Sequence, residues 1–418
     1  MQIGTSFALP RDIDRDLDGW LAPFLDVTGR STRRQMAPLY VRGLLGPDGP
    51  KSIQPMAGRL GLPGHDQLHH FVTSPAWDDG PLWRVLAEQA DRQVGGADAV
   101  LVVDDTGNPK KGTASVGVAP QYCGELGKTA NCQVLVSLTL ARGEVPVPVG
   151  LRLFLPTCWT DDVDRCAAAG VPQAARAAQT KPEIALAEIN RVLAAGLHFR
   201  CVLADAGFGS SPNFRQGLDE RGLSWAVGIA CTQLVYPTTV KLRPAFTPTG
   251  RPARHPVANQ PPQTAAAMLQ TQRWRRISWR NGTKGPLSAR FAAVRVRVAD
   301  GPTNVEDTRL PGDDEVWLIG EWRDSGEKKY YLSNLPKQTS LRRLAATVKA
   351  RWSCEQVHQQ LKQDLGLGDF EGRSWTGLHR HALMACIAFA YLQHRRLRAA
   401  GRGKKGGPQR AAATAFAA

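Results

Sequence analysis

Residues 99–106 read AVLVVDDT, an uninterrupted β-prone run that ends in two adjacent acids and a threonine. A short apolar run bounded by turn residues is typical of a buried strand. Two further β-rich stretches, 132–141 and 147–155, lie close enough along the chain to form an antiparallel meander with the first. Helix-like and strand-like stretches then alternate over 182–197, 199–206, 212–221 and 225–230. The order β-β-β-α-β-α-β predicts an α/β fold built on one sheet.

The alternation of strands and helices stops at residue 232. Residues 232–329 are rich in Pro and Arg and then alternate as strands, which predicts a basic, β-rich insertion with a disordered entry around 261–267. Helical patterns fill the chain before residue 96 and resume after the insertion. The predicted organisation is a helical domain over 1–95, a core over 96–231 and 330–398, the insertion over 232–329, and a disordered basic tail over 399–418.

The charge of the chain is the most informative feature of its composition. The 418 residues include 53 Lys and Arg against 37 Asp and Glu, for a formal net charge of +16 and a pI near 9.8. The excess is concentrated in residues 238–300, with 12 basic residues and one acid, and in residues 341–418, with 14 and four. A solubilising surface is the simpler explanation, but two local basic surfaces favour a polyanionic partner. We therefore predict a nucleic acid as partner.

Other classes of protein are disfavoured. The longest apolar run, 382–392, is far shorter than the ~20 residues needed to cross a bilayer. The N-terminal residues show no secretory signal pattern, so we expect a cytoplasmic, nucleoid-associated protein without membrane contact. The eight cysteines include no C-x-x-C pair, which predicts no disulfide framework. We also expect no tight cysteine–histidine cluster, with most thiols acting as small buried apolar groups.

Three acids occupy positions that suggest chemistry. Asp104 ends the first predicted strand, Asp205 ends the fourth, and Glu355 lies on the helix after the insertion. Each acid alone is more often a turn residue, a helix cap or a solvated side chain. Adjacent strand ends bring such groups together, however, and paired carboxylates suit Mg²⁺ or Mn²⁺. The three are therefore the candidate catalytic residues and metal ligands of a two-ion site that cleaves phosphodiesters.

Two cations flank Glu355 on its predicted helix. Arg351 and Lys362 lie four residues before it and seven after it, so all three side chains share one helix face. The simpler interpretation is an i,i+4 ion pair with a lysine nearby. The functional interpretation is a carboxylate ligand between cations that hold DNA phosphates.

With these residues in place, the sequence resembles the DDE transposases of bacterial insertion sequences that carry a Y-x2-R-x3-E-x6-K signature. Arg351, Glu355 and Lys362 match that spacing, whereas Val348 stands at the tyrosine position. The segments VVDDTGNPKKG, QYCGELGKTANCQ and VLADAGFG are most similar to the insertion-sequence 701 family. The resemblance covers about residues 30–395.

The resemblance implies an RNase H-like core interrupted by the β insertion and preceded by a helical DNA-binding domain. It implies cut-and-paste transposition at terminal inverted repeats, with two Mg²⁺ ions for which Mn²⁺ can substitute. The implied partner is double-stranded DNA, both transposon ends and target, bound by a homodimer. The Asp-x-Thr pattern of such cores favours Asp104 over Asp105 as first ligand. It leaves open the terminal-repeat sequence and the route of strand release, through a hairpin or otherwise.

The expected DNA contacts are basic residues near these motifs. They are Arg351, Lys362, Lys110, Lys111, Arg273, Arg275, Arg276 and Lys284. Two short helical runs at 52–60 and 66–72, separated by a Gly-Pro turn, have a helix-turn-helix outline. We expect residues 30–75 to read the base sequence, although the same outline also occurs in small helical bundles.

Three alternative functions each fit part of the sequence. A dinucleotide site fails because Pro212 stands where the G-x-G-x-x-G motif needs its third glycine, so no small-molecule cofactor is expected. A catalytically silent or domesticated transposase would keep DNA binding alone, but all three acids are present. Another RNase H-like nuclease is the remaining alternative.

Overall fold

The computed structural model describes residues 11–47, 49–244, 256–282, 285–304 and 307–403. Its N-terminal part is helical, as the sequence predicts. The helices are α1 (Arg11–Val27), α2 (Ser31–Leu45), α3 (Ile53–Arg59), α4 (Asp66–Thr73) and α5 (Gly80–Val94).

A mixed sheet follows, beginning with the strand that contains the two adjacent acids. Its first strands are β1 (Val100–Pro109), β2 (Ala119–Cys123), β3 (Lys128–Arg142), β4 (Val145–Phe154), β5 (Cys201–Ala204) and β6 (Trp225–Ile229). The connecting helices are α6 (Thr157–Thr160), α7 (Val163–Ala168), α8 (Lys181–Ala194), α9 (Ala206–Gly209) and α10 (Pro212–Glu220).

These strands run side by side in the order β4-β3-β1-β5-β6. The first three form the predicted antiparallel meander, and β5 and β6 join it in parallel. The prediction of a mixed α/β fold is confirmed. Strand β2 was not predicted; it pairs with the first residues of β3.

The insertion continues this sheet. It contains β7 (Leu234–Pro237), β8 (Leu242–Arg243), β9 (Val257–Ala258), β10 (Gln263–Thr264), α11 (Ala265–Gln270), β11 (Arg275–Gly282), β12 (Gly285–Val298), β13 (Glu315–Trp322) and β14 (Lys328–Ser333). Strand β14 pairs with β6, and β13, β12, β7 and β10 follow in order, while β8 and β9 pair only with each other. The disordered entry predicted around 261–267 is wrong, because β10 and α11 form there and bury Ala265 and Leu269.

After the insertion the chain returns to the core as α12 (Leu341–Lys349), α13 (Trp352–Gln363) and α14 (Trp375–Gly403). Helices α12 and α13 cover one face of β1, where Val102 shares a cluster with Val348 and Cys354. On the other face, Leu101 and Val103 belong to the main core. A strand covered on both faces requires apolar residues in succession, which explains the continuous run in the sequence.

Helix α14 connects the N-terminal helices to the sheet. Its residues 382–391 are fully buried. The Tyr391 hydroxyl donates to the Ile13 carbonyl at 3.0 Å, and the Tyr40 hydroxyl lies 2.8 Å from Nδ1 of His381. The N-terminal helices therefore share one hydrophobic core with α14. No helix in the described ranges is both long and apolar enough to span a membrane.

The buried imidazole of His381 makes folding stability depend on pH. Its Nε2–H donates to the Gly366 carbonyl, so Nδ1 accepts from Tyr40. Burial lowers the pKa of His381 to about 4. Between the unfolded pKa of about 6.5 and this value, the unfolded state binds more protons, so stability falls as pH falls.

We expect lowering the pH from 7.5 to 5 to cost roughly 2 kcal/mol of unfolding free energy through His381 alone. The decrease on acidification, measured by urea denaturation at both pH values, should shrink by that amount in His381→Gln. The exposed His65 provides the control. Acidification should lower the unfolding free energy of His65→Gln by as much as it lowers that of the parent. An equal decrease in His381→Gln and the parent would contradict the neutral buried imidazole.

Candidate active site

The two acids at the end of β1 face opposite sides of the sheet, because side chains alternate along a strand. The Asp105 carboxylate lies 2.7 Å from the Lys181 ammonium at the start of α8. Asp104 faces α13, and its Oδ1 accepts a hydrogen bond from the Asp105 backbone N–H at 2.8 Å. The two neighbours thus lie in different environments.

Asp205 lies beside Asp104 because β1 and β5 are parallel. The last paired residues of the two strands are Val103 and Ala204, and each acid comes next in its chain. The Asp205 carboxylate caps α9 by accepting from the Gly207 N–H at 3.0 Å. Burial raises the pKa of Asp205, and the negative charge of Asp104 raises it further. The pair therefore favours a nearby cation.

Arg351 supplies that cation in the protein. Its guanidinium donates to Asp104 Oδ2 at 2.5 Å and to Glu355 Oε1 at 3.0 Å. Burial raises the pKa of Asp104, while the charge of Arg351 opposes this rise. Glu355 is 66% exposed. Asp205, Arg351 and Glu355 all line one open cleft of about 490 Å³, so the sequence-predicted acids come together around one arginine.

The rest of this cleft is strongly basic. Its walls come from β14, the turn before it and α12, and they carry Arg323, Lys328, Lys329 and Lys349. Glu321 is fully buried behind them and accepts from the Lys349 ammonium at 2.7 Å. Sequence reasoning missed these wall residues, because only the pairing of β14 with β6 brings them to the acids.

The cleft also contains aromatic residues that were not predicted. Val348, at the tyrosine position of the signature, is buried in the cleft wall, and Tyr330 and Tyr331 of β14 line the same cleft. Trp352 of α13 lines it too, with the Arg280 guanidinium 4.1 Å from its ring centre.

The lysines predicted to contact DNA differ in their availability. Lys362 donates to the Gly107 carbonyl and to the carboxylate of Glu125, which is half exposed. Lys110 donates to the carbonyls of Gly368 and Phe370. Its ammonium therefore joins the end of β1 to the segment after α13. Lys111 is exposed.

The predicted arginines of the insertion are exposed but do not line the cleft. Arg275 begins β11, and Arg273 lies two residues before it. Arg276, beside them, pairs with Asp324 at 2.8 Å. Lys284 lies outside the described residues.

Beneath Asp104, α13 presents two further donor groups. The Cys354 thiol lies 3.4 Å from Asp104 Oδ2 and 3.7 Å from Nε2 of His358. Burial lowers the pKa of His358 to about 4, so the imidazole is neutral at pH 7. The prediction of no tight cysteine–histidine cluster is wrong. The available signal was the i,i+4 spacing, which puts both residues on one helix face.

Comparison with known proteins adds three findings. A family model described as DDE superfamily endonuclease matches residues 23–286, a range that contains Asp104 and Asp205 but ends before Glu355. A probable transposase for insertion sequence element IS701 from Microchaete diplosiphon is 33% identical over 186 residues. That match covers 44% of this chain and 46% of the relative, so the chain spans about half the length of the curated relative it matches.

A cryo-EM structure of the piggyBac transposase synaptic complex with hairpin DNA aligns with 93% of this chain and 74% of its own, at a TM-score of 0.40 and 10% identity. This likeness is too weak to bear on the fold. The family model, by contrast, matches more than half of the sequence. The chain therefore belongs to the DDE superfamily endonucleases.

Proposed function

We propose that the chain is a transposase that binds the terminal inverted repeats of an insertion sequence, cuts the DNA there and transfers the released strands to a target. Membership of an endonuclease family and the IS701 relative support this function. The observation that carries the proposal is the meeting of Asp104, Asp205 and Glu355 around Arg351 at one basic cleft. The strand order β4-β3-β1-β5-β6 supports an RNase H-like core.

The carboxylates fit divalent metal ions. Their oxygens are the donors that Mg²⁺ and Mn²⁺ prefer, and the position of Arg351 between two of them marks a place that needs positive charge. Asp104, Asp205 and Glu355 would hold two such ions. When bound, the ions would activate a water or a 3′-hydroxyl and stabilise the leaving oxygen.

The chain's own residues would hold the DNA. The fork of the Arg351 guanidinium suits a phosphate as well as a carboxylate, so an incoming phosphodiester competes for it. Lys362 pairs with the half-exposed Glu125, and a phosphate displaces such a partner at small cost. The wall cations Arg323, Lys328, Lys329 and Lys349 extend this positive surface.

The duplex path would continue over the exposed arginines of β11 and over Lys111. Lys284 and Lys110 stay expected contacts, although Lys110 also donates to backbone carbonyls, as Lys362 does. A homodimer in the DNA complex would bring both ends of an element to one target.

Recognition of the element's own ends is proposed for the N-terminal helices. On α4, Leu68 and Phe71 are buried, whereas Gln67, His69 and His70 are exposed. Gln67 and His70 also line a groove of about 480 Å³ between α2 and α4. The helix thus packs with one face and presents polar side chains on the other, as base readout requires.

The catalytic assignment is tested by conservative substitutions. Asp104→Asn, Asp205→Asn and Glu355→Gln should each lower Mg²⁺-dependent cleavage of end-containing DNA by more than about 100-fold, because losing even an outer-shell partner typically costs 10–100-fold. DNA affinity, measured by gel shift, should stay within a fewfold of the parent. Asp105→Asn is the matched control and should retain cleavage; cleavage by Glu355→Gln would overturn the assignment and with it the transposase.

The contribution of the insertion is tested by salt dependence. Replacing Arg273, Arg275 and Arg276 together with Ala should flatten the log–log slope of affinity against salt, by about 0.9 for each DNA phosphate that the variant no longer neutralises. Arg84→Ala with Arg92→Ala, on the exposed side of α5, should leave the slope unchanged. If the triple variant keeps the slope of the parent, these arginines do not contact the DNA phosphates.

The proposed role of α4 in base recognition is tested by substituting its exposed residues, which leaves the shared core intact. Gln67→Ala with His70→Ala should lower the preference for the true end over a scrambled duplex by about tenfold or more, since a good base contact is worth about 1–3 kcal/mol of discrimination. Gln216→Ala, exposed on α10, serves as control. Unchanged preference in competition footprinting would assign the readout to another part of the chain.

A further inference from the structure

A buried acid lies behind the basic wall of the cleft. Glu321 of β13 is fully buried, and it pairs with Phe291 on the face of the sheet that packs against α12. An apolar residue would fill such a core position at lower cost, because a buried charge is tolerated only where close partners stabilise it. The partners of Glu321 therefore decide what an acid does at this position.

Three cleft residues donate hydrogen bonds to the Glu321 carboxylate. Its Oε1 accepts from the Lys349 ammonium at 2.7 Å and from Nε of Arg323 at 3.0 Å. Its Oε2 accepts from the Tyr331 hydroxyl at 2.8 Å. Burial by itself raises the pKa of Glu321, but these partners outweigh it and lower the pKa, so the carboxylate is ionised at pH 7. One buried charge thus joins α12, β14 and the turn before β14.

Glu321 holds two cations side by side in the cleft wall. Lys349 and Arg323 both contact one oxygen atom, although two like charges repel each other when no acid lies between them. Burial lowers the pKa of the Lys349 ammonium, and Glu321 opposes this decrease, so the acid also helps to keep Lys349 charged.

Both cations keep donors for a further anion. An ammonium has three N–H groups, of which Glu321 takes one from Lys349. Arg323 donates through Nε to Glu321 and through Nη1 to Glu327, and its Nη2 donates to no acceptor in the described part of the chain. Both side chains line the cleft that contains Asp205 and Glu355.

We propose that Glu321 is a positioning residue, which builds a phosphate site from Arg323 and Lys349 in the wall of the cleft. The ligand is a DNA backbone phosphate, whose oxygens accept from both cations. Glu321 does not touch the DNA; it fixes the direction and the spacing of the two cations from behind. This role rests on the proposed function, because it requires DNA in the cleft.

A purely structural role for Glu321 predicts the opposite change in DNA affinity. In that role the acid only attaches α12 to the sheet. Removing an acid from a surface that binds a polyanion then raises the affinity through charge alone. Loss of a positioning residue instead lowers the affinity, in spite of the gain in positive charge.

The test measures binding of a fluorescent duplex by anisotropy between about 50 and 200 mM salt. Glu321→Gln keeps the size of the side chain and removes its charge. It should weaken binding by about tenfold, since a hydrogen bond to a charged group is commonly worth that factor. The log–log slope of affinity against salt should flatten by about 0.9 for the lost phosphate contact.

Glu327→Gln is the matched control, because it removes a half-exposed acid that also pairs with Arg323. This variant should bind the duplex at least as tightly as the parent. If Glu321→Gln also binds as tightly as the parent or more tightly, the positioning role is wrong.

A double-mutant cycle assigns the effect to the cation of α12. Lys349→Gln should weaken binding by about tenfold in the parent but by less than about twofold in Glu321→Gln, because residues that act through one contact are not additive. Equal effects of Lys349→Gln in the two backgrounds would overturn the proposal.

A further variant separates folding from positioning. Glu321→Met with Lys349→Met replaces the buried pair by apolar side chains, and such replacements are often neutral or stabilising. The double variant should melt within a few degrees of the parent and yet bind the duplex as weakly as Glu321→Gln. Parental affinity in this folded variant would contradict the phosphate site.

These measurements also distinguish the positioning role from the proposed function. End-containing and scrambled duplexes both serve, because phosphate contacts carry no base sequence. A parent that binds neither duplex contradicts the proposed function itself. A parent that binds DNA, together with an unweakened Glu321→Gln, contradicts the role of Glu321 alone.

Discussion

The parallel pairing of β1 with β5 is the constraint on which the site depends. Because Val103 and Ala204 are the last paired residues, Asp104 and Asp205 leave the sheet side by side. Two carboxylates in this position repel each other, and burial adds to the cost of charging them. The positive charge of Arg351, at the start of α13, offsets this cost. One guanidinium nitrogen donates to Asp104 and the other to Glu355.

The large insertion is part of the sheet that positions these residues, not a separate unit. Strand β14 pairs with β6, so the sheet extends without a break from the acids into the insertion. The last residues of the insertion thereby become a basic wall of the cleft, and the chain is returned close to β1 as α12 and α13. Glu355 lies 150 residues after Asp205 in the sequence, and the continuous sheet is what makes them neighbours.

Asp104 has different neighbours on its two sides. On the cleft side it meets Arg351, beside the carboxylate of Asp205, a setting for hard oxygen-loving ions and phosphates. On the side of α13 it meets the Cys354 thiol, which lies against the neutral imidazole of His358.

The sequence by itself determined the α/β class and the strands from β1 to β6 apart from β2, and it supplied the three acids and Arg351 as candidates. Apolar runs and helix spacing are local properties, and strand ends can be read from where such runs stop. Strand β2 pairs with the adjacent β3 but was missed because it is short and only its two end residues are buried. Helix α11 was missed because the neighbours that bury it come from distant parts of the chain. The family resemblance favoured Asp104 over Asp105, and the tertiary structure puts the two in different environments, since it decides which face of β1 meets α13 and which meets Lys181. It also committed Lys110 to backbone carbonyls and brought Asp104 to Cys354 and His358, because these contacts join residues more than 200 positions apart, a distance over which no local pattern carries information.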